Sequence, residues 1–346
     1  MSLSPVPAAL ADDAGRPRFG TYEGGFSALS FDGLGGDFKP SRARRFVRQK
    51  RWHYTLVTTP QVLVLSAVVD LGYTANAFCC AVDLPERRVL ADESFLSLPG
   101  PWAKVGDRPN DGLDARFRTP GATLGAKATG GQCEIDVEVS KLRARADHPF
   151  SWHGQLVTEA APPAITVVAP TEHAGVNVTQ KSGALLCRGT LEAGGGRYSL
   201  DGGVGGMDYT QGFLARKTTW RWAFAQGRLP DGTPFGLNLV EGFNEAEADA
   251  NENAAFVGQG LHPLARARFE FDKDRYLSPW RVSTEDGAVQ LTFTPIHVHH
   301  ELRDYKVIRS KFVQVVGLFE GTVRVDGRAL TLTSLAGVTE DQDVLW

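Results

Sequence analysis

Apolar residues in this chain recur mostly at every second position, in short runs that end at Gly, Pro, Asn or Asp. Cys133, Ile135, Val137 and Val139 alternate with Glu134, Asp136 and Glu138, the pattern of a strand with one buried face. Ala265, Ala267, Phe269 and Phe271 alternate in the same way with Arg266, Arg268, Glu270 and Asp272, and Val289, Leu291 and Phe293 with Gln290 and Thr292. The run from Val323 ends at Asp326-Gly327, a hairpin signal, and resumes at Leu330 and Leu332. Further strands are expected over His53–Thr58, Val62–Val69 and Phe78–Leu84. Gln61–Asp70 is the most apolar run; it is far shorter than the roughly 20 residues that cross a bilayer. Glu245–Ala255 has the best helix propensity, but its acids and amides suit a loop equally well. Antiparallel strands in succession, without helical crossovers, predict an all-β molecule of sandwiches or barrels with few short helices. Pro-rich stretches at 159–163 and 170–175 suggest a division into a loose arm over 1–20, one β-unit over 21–170 and a second over 171–346.

Composition narrows the function classes. The chain has 346 residues, 42% of them apolar, with 38 Gly and 19 Pro, which fits a large core and many turns. A net charge of −3, with both signs mixed along the chain, argues against nucleic acid as a partner. Cys79, Cys80, Cys133 and Cys187 show no metal-type spacing and read as reduced structural thiols. The N-terminal stretch lacks the basic and apolar regions of a signal peptide. A cytoplasmic protein without a transmembrane segment is therefore expected, and the sequon at Asn177 reads as coincidental. Gly202–Gly206 lacks the third glycine of a dinucleotide fingerprint. There is also no phosphate-binding loop and no GxSxG nucleophile elbow, so no cofactor is expected. His297, His299 and His300 suggest a metal, but no third ligand is identifiable nearby, and polar strand-face histidines are the default. The cluster Arg42, Arg44, Arg45, Arg48, Lys50 and Arg51 reads as a solvated face. Its functional alternative is transient contact with an anionic membrane surface or headgroup.

The stretch from Gly202 to Asn253 carries indoles, amides and acids more densely than a core requires. If Arg216–Ala225 is a strand, period two puts Arg216, Thr218, Trp220, Trp222 and Phe224 on one face. The turn Leu229-Pro230-Asp231-Gly232 then folds Phe235–Val240 back as a hairpin and brings Asn238 within reach of the indoles. The bland reading is an aromatic core stripe. The functional reading is a ligand-lined wall with Asn244 and Asn253 at its polar end, since buried amides and acids need partners. Gly202–Gly206 reads as a turn that delivers Asp208 and Tyr209 to the mouth of the sheet. A carboxyl group in such a setting is a proton donor with a raised pKa; the alternative for Asp208 is a turn cap.

The set Gly206–Gly212, Arg216–Ala223, Gly236–Leu239, Gly242–Asn244, Glu252–Asn253 and Glu340–Asp341 with Trp346 resembles the DUF2804 family. That resemblance implies a distant tie to lipocalin-like double-barrel proteins, the group of carotenoid 1,2-hydratases, AttH-like and tocopherol-cyclase-like proteins. It also implies a fold of two lipocalin-like antiparallel β-barrels, or strongly curved sheets, packed together. Members of that group handle apolar, often isoprenoid molecules, and the hydratases protonate an alkene inside an aromatic-lined cavity. Trp220 and Trp222 match the aromatic wall. The hydratase-type Asp-His pair after the Trp is replaced here by Ala223-Phe224-Ala225-Gln226, so the acid does not carry over. The leading expectation is an apolar-ligand protein with cofactor-free acid catalysis: hydration, isomerisation or cyclisation of an alkene. Asp208, Glu241 or Asp341 would act as the acid, and Tyr209, Arg216, Trp220, Trp222, Asn238, Asn244 and Asn253 would hold the ligand. The alternatives are a non-catalytic lipid carrier, with Arg216 or the basic cluster on a carboxylate or phosphate, and a carbohydrate-active β-protein.

Overall fold

The computed structural model describes residues 3–98, 100, 102–144, 148–245, 251–304 and 309–346. It contains two β-sheets of fifteen and nine strands, the first a nearly closed barrel and the second a half-barrel. Along the first sheet the order runs from Arg88–Ser97 through Ala75–Asp83, Val62–Asp70, Gln49–Thr58, Gly203–Phe213 and Gly175–Ala193 to Phe150–Val157, Gln132–Val139, Ala122–Thr129, Asp114–Thr119 and Ala103–Val105. The second runs from Gly260–Pro263 through Ala254–Val257, Pro234–Glu241, Lys217–Arg228, Arg328–Leu345, Arg309–Val325 and Val289–Asp304 to Trp280–Thr284 and Ala267–Glu270. Residue 170 lies in Ile165–Thr171, within the first sheet; the chain passes to the second sheet between Phe213 and Lys217. In the N-terminal stretch, Ser4–Pro5 pairs with Gly20–Glu23, and Leu10 is buried in the core of the first sheet.

Each barrel has its own interior. Phe117, Trp152 and Tyr209 belong to the first core, and Leu237, Trp280, Phe293 and Phe319 to the second. A third cluster, including Leu56, Leu65, Phe78, Trp222, Phe224 and Val338, joins the outer faces of the two sheets. The strands Gln49–Thr58, Val62–Asp70 and Ala75–Asp83 therefore bury both faces. That is why the run at Gln61–Asp70 is continuously apolar instead of alternating.

Gly203–Phe213 departs from the expected turn. It is a central strand buried along its whole length, and only Gly202 has a left-handed backbone, at φ 76°. The glycines here answer to close approach instead. A Cβ on Gly206 would lie 2.5 Å from Phe224 Cζ of the other sheet.

Among the described residues the one α-helix is Arg42–Arg48, capped by Ser41, whose Oγ accepts from Arg44 N at 3.2 Å. Of the helix candidate Glu245–Ala255, residues 246–250 lie outside the described residues, and Ala254 and Ala255 begin the strand Ala254–Val257. No described helix is long and apolar enough to cross a membrane. Asn177 of the sequon is fully buried, and all four cysteines are buried free thiols.

Candidate functional site

A cavity of about 350 Å³ lies between the two sheets. Strand register explains its lining. On the first sheet Lys181, Asp208, Tyr54, Ala67 and Phe78 lie side by side across five strands. On the second, Val240, Trp222 and Glu340 form the facing row, which Gln314 and His299 continue beyond the lining. Two residues along, period two brings Trp52, Val69 and Asn76 onto one wall and Trp220, Gln342, Phe312 and Glu301 onto the other. The lining surface is mainly apolar and aromatic, with a few buried carboxyl and amide groups.

The indoles of Trp52 and Trp220, one from each sheet, stack with centroids 6.0 Å apart and planes 22° apart. Each donates its N–H to a carboxyl: Trp52 Nε1 to Asp208 Oδ2 at 2.9 Å, and Trp220 Nε1 to Glu340 Oε2 at 3.0 Å. Gln314 Nε2 donates to the other Glu340 oxygen at 2.6 Å. Burial pushes the Glu340 carboxyl up to about 7, against the opposing pull of the Trp220 and Gln314 donors, and the nearby Asp208 charge adds to the rise. Lys181 Nζ is 2.8 Å from Asp208 Oδ1 and 3.3 Å from Glu252 Oε2. Burial opposes its charge, but the two carboxylates outweigh burial and hold Lys181 above its ordinary range. The same ammonium lies 4.9 Å over the Trp222 ring. Trp222 Nε1 donates to Asn238 Oδ1 at 2.7 Å. One wall thus holds a buried ion-paired group, and the other a buried carboxyl that keeps its proton up to neutrality.

Among the residues expected from sequence, Asp208, Trp220 and Trp222 line the cavity. Asn238 lies behind Trp222 and donates to the Glu252 carbonyl at 2.7 Å. Asn244 donates to Glu252 Oε1 at 3.1 Å. Asn253 sits behind the wall, accepting from Val240 N at 2.6 Å and donating to the Ala265 carbonyl at 3.1 Å. The remaining four are elsewhere. Tyr209 points into the first barrel, its Oη 2.8 Å from the Gly106 carbonyl and 2.7 Å from Gln211 Oε1. Glu241 pairs with Arg268 at 3.4 Å. Asp341 turns away from its neighbour Glu340 towards Arg221, at 3.2 Å, and Tyr276 Oη, at 2.7 Å. Arg216 is not among the lining residues. Sequence reasoning gave no site role to Trp52, Lys181 or Glu340. Glu340 was visible as half of an adjacent acid pair, and Lys181 as the one charge in an otherwise uncharged strand segment, Gly175–Cys187.

Two expectations outside the cavity also find places. His297 Nε2 and His299 Nδ1 lie 2.7 and 2.5 Å from the two oxygens of Asp92, so these histidines clasp a carboxylate of the other sheet. Burial works against the His299 charge, but Asp92 and Glu301 hold it at about 9. In the basic segment, Arg44 Nη2 donates to the His173 carbonyl at 2.6 Å and Arg45 pairs with Asp32. Lys50 is fully buried and donates to the carbonyls of Val47 and Leu71. Its amine thereby ties the helix end to the turn beside the cavity, and burial lowers it to about 7.

Comparison with known proteins bears on the fold. The structure resembles that of CghA with Sch210972 at a TM-score of 0.53 and 10% identity, covering 99% of this chain and 98% of that one. An AttH-like protein from Nitrosomonas europaea gives a TM-score of 0.47 and 14% identity over 91% of this chain and 96% of that one. Kievitone hydratase from Nectria haematococca gives 0.43 and 11% over 98% of each. No curated protein matches the sequence. The family model described as domain of unknown function DUF2804 matches residues 5–346, and the chain belongs to that family.

Proposed function

We propose that this protein binds an apolar small molecule between its two sheets and performs cofactor-free acid chemistry on it, with Glu340 as the proton donor. The observation that carries the reading is a buried carboxyl on the wall of an aromatic cavity, where burial pushes it up to about 7. An acid catalyst works best when its pKa is near the operating pH. The stacked Trp52 and Trp220 rings offer π-faces to a developing carbocation, a stabilisation of up to about 2 kcal/mol per ring where water is excluded. Asp208, ion-paired with Lys181, fixes Trp52 and adds negative potential. Addition of water, migration of the double bond and ring closure all begin with this proton transfer.

The test is extraction and identification of the molecule that copurifies with the protein, followed by turnover assays on it. Glu340→Gln should keep the binding and lose at least 100-fold in rate, the range for a general acid. If wild type and variant both return that molecule unchanged, the carrier reading replaces the catalytic one. A contact with anionic lipid is a further part of this proposal, because the helix Arg42–Arg48 leaves Phe46 and Val47 exposed next to the cavity turn. Phe46→Asp should then weaken cosedimentation with anionic vesicles and leave uptake of free ligand unchanged.

A further inference from the structure

We propose that the molecule held in this cavity is uncharged, with an apolar body and a hydrogen-bond-donating head, a hydroxyl or amino group, received by Asn76, Gln342 and Glu301. The inference rests on the binding reading above and names the chemistry of its ligand.

Charge is the first argument. Among the described residues the cavity lining carries four carboxyl groups, Asp208, Glu252, Glu301 and Glu340, and two cations, Lys181 and Arg303. Both cations are engaged: Lys181 with Asp208 and Glu252, and Arg303 with Glu301 at 2.8 Å. A ligand carboxylate or phosphate would enter an acidic wall with no unpaired cation among the described lining residues to meet it, a costly arrangement where water is excluded.

Hydrogen-bonding capacity is the second. Asn76 Oδ1 and Gln342 Oε1 are buried and have no hydrogen-bond partner within the protein. Gln342 is 5% exposed, and its amide nitrogen is directed to Ser310 Oγ at 3.5 Å. Glu301 Oε1 lies 3.6 Å from His299 Nε2, beyond hydrogen-bonding length. These three acceptors share one layer of the cavity, the row that also contains Trp52 and Trp220. Buried acceptors without donors are destabilising, and a donating head supplies what the two amide oxygens lack, with Glu301 Oε1, which faces the charged His299, beside them. The head would sit in that layer, and the apolar body against the aromatic rings and Glu340.

The test compares three probes with the same isoprenoid body, farnesol, its methyl ether and farnesoate, by quenching of tryptophan fluorescence. Farnesol should bind at least about ten-fold more tightly than the ether and than the carboxylate, a difference of about 1.4 kcal/mol. Asn76→Leu with Gln342→Leu should abolish the preference for the alcohol over the ether. Ether binding equal to alcohol binding in the wild type, or farnesoate binding as well as farnesol, would overturn the head-group assignment while leaving the apolar cavity intact. Failure of all three probes to bind would overturn the assignment and the underlying binding reading together.

Discussion

Glu340 and Asp341 show how far single residues can be read. Adjacent residues of a strand point to opposite faces, so an acid pair in sequence offers one candidate to each side and leaves the choice to tertiary structure. Of this pair the sequence motifs point to Asp341; Glu340 is the one on the cavity, while Asp341 serves Arg221 and Tyr276. Asp341→Asn should therefore lower stability by roughly 1–3 kcal/mol, the range for a charged hydrogen bond, and leave ligand affinity unchanged in equilibrium titrations. Trp220→Phe removes an N–H that favours the Glu340 carboxylate. The alkaline limb of the pH–rate profile should then move to higher pH. A limb that stays in place or moves down would show that Glu340 does not set it.

Strands were legible where one face is wet. Gln132–Val139 reads directly from alternation because its odd positions fill the first barrel and its acids face solvent. Gly203–Phe213 did not, because its glycines imitate a turn; they are there to let two sheets approach. Gly206→Val should cost about 1–3 kcal/mol by overpacking against Phe224, measured by urea denaturation. A tolerated substitution would show that the sheets part more easily than the packing implies. The helix Arg42–Arg48 is too short for periodicity to reveal, and its seven residues were visible only as a basic cluster. Lys181 and Trp52 escaped notice for a related reason. They enter the site through register across five strands, and register is not written in any one segment.

At the scale of the molecule, the all-β class and the two curved sheets followed from alternation and from the family resemblance, whereas the cavity between them depends on which outer faces meet. Asp92, held below the ordinary carboxylate range by His297 and His299 although burial opposes this, joins the sheets beside that cavity. Several buried groups set the expected pH dependence. Glu340 rises from 4.5 to about 7 on folding, so its ionisation opposes the fold as pH climbs through that interval, by on the order of 3 kcal/mol. His299 rises from 6.5 to about 9; its contribution is complete below pH 6.5 and is lost as pH passes 9. The Asp92 contribution is present above its ordinary value of 3.8 and is lost on acidification through its lowered value. Buried Lys50, lowered to about 7, and buried His53, lowered to about 4, act in the opposite sense, adding stability as pH rises above those values. The Glu340 contribution is therefore read by difference: Glu340→Gln should gain stability relative to wild type as pH rises from 5 to 8 in denaturation curves.

Acid chemistry in this fold depends on a carboxyl, Glu340, that faces an aromatic cavity and keeps its proton up to neutral pH. Infrared difference spectroscopy of the wild type against Glu340→Gln, titrated from pH 5 to 9, tests it directly. A protonated-carboxyl C=O band, absent from the variant, should disappear with a midpoint near 7. A Glu340 already ionised at pH 5 would contradict it and leave the cavity without its acid.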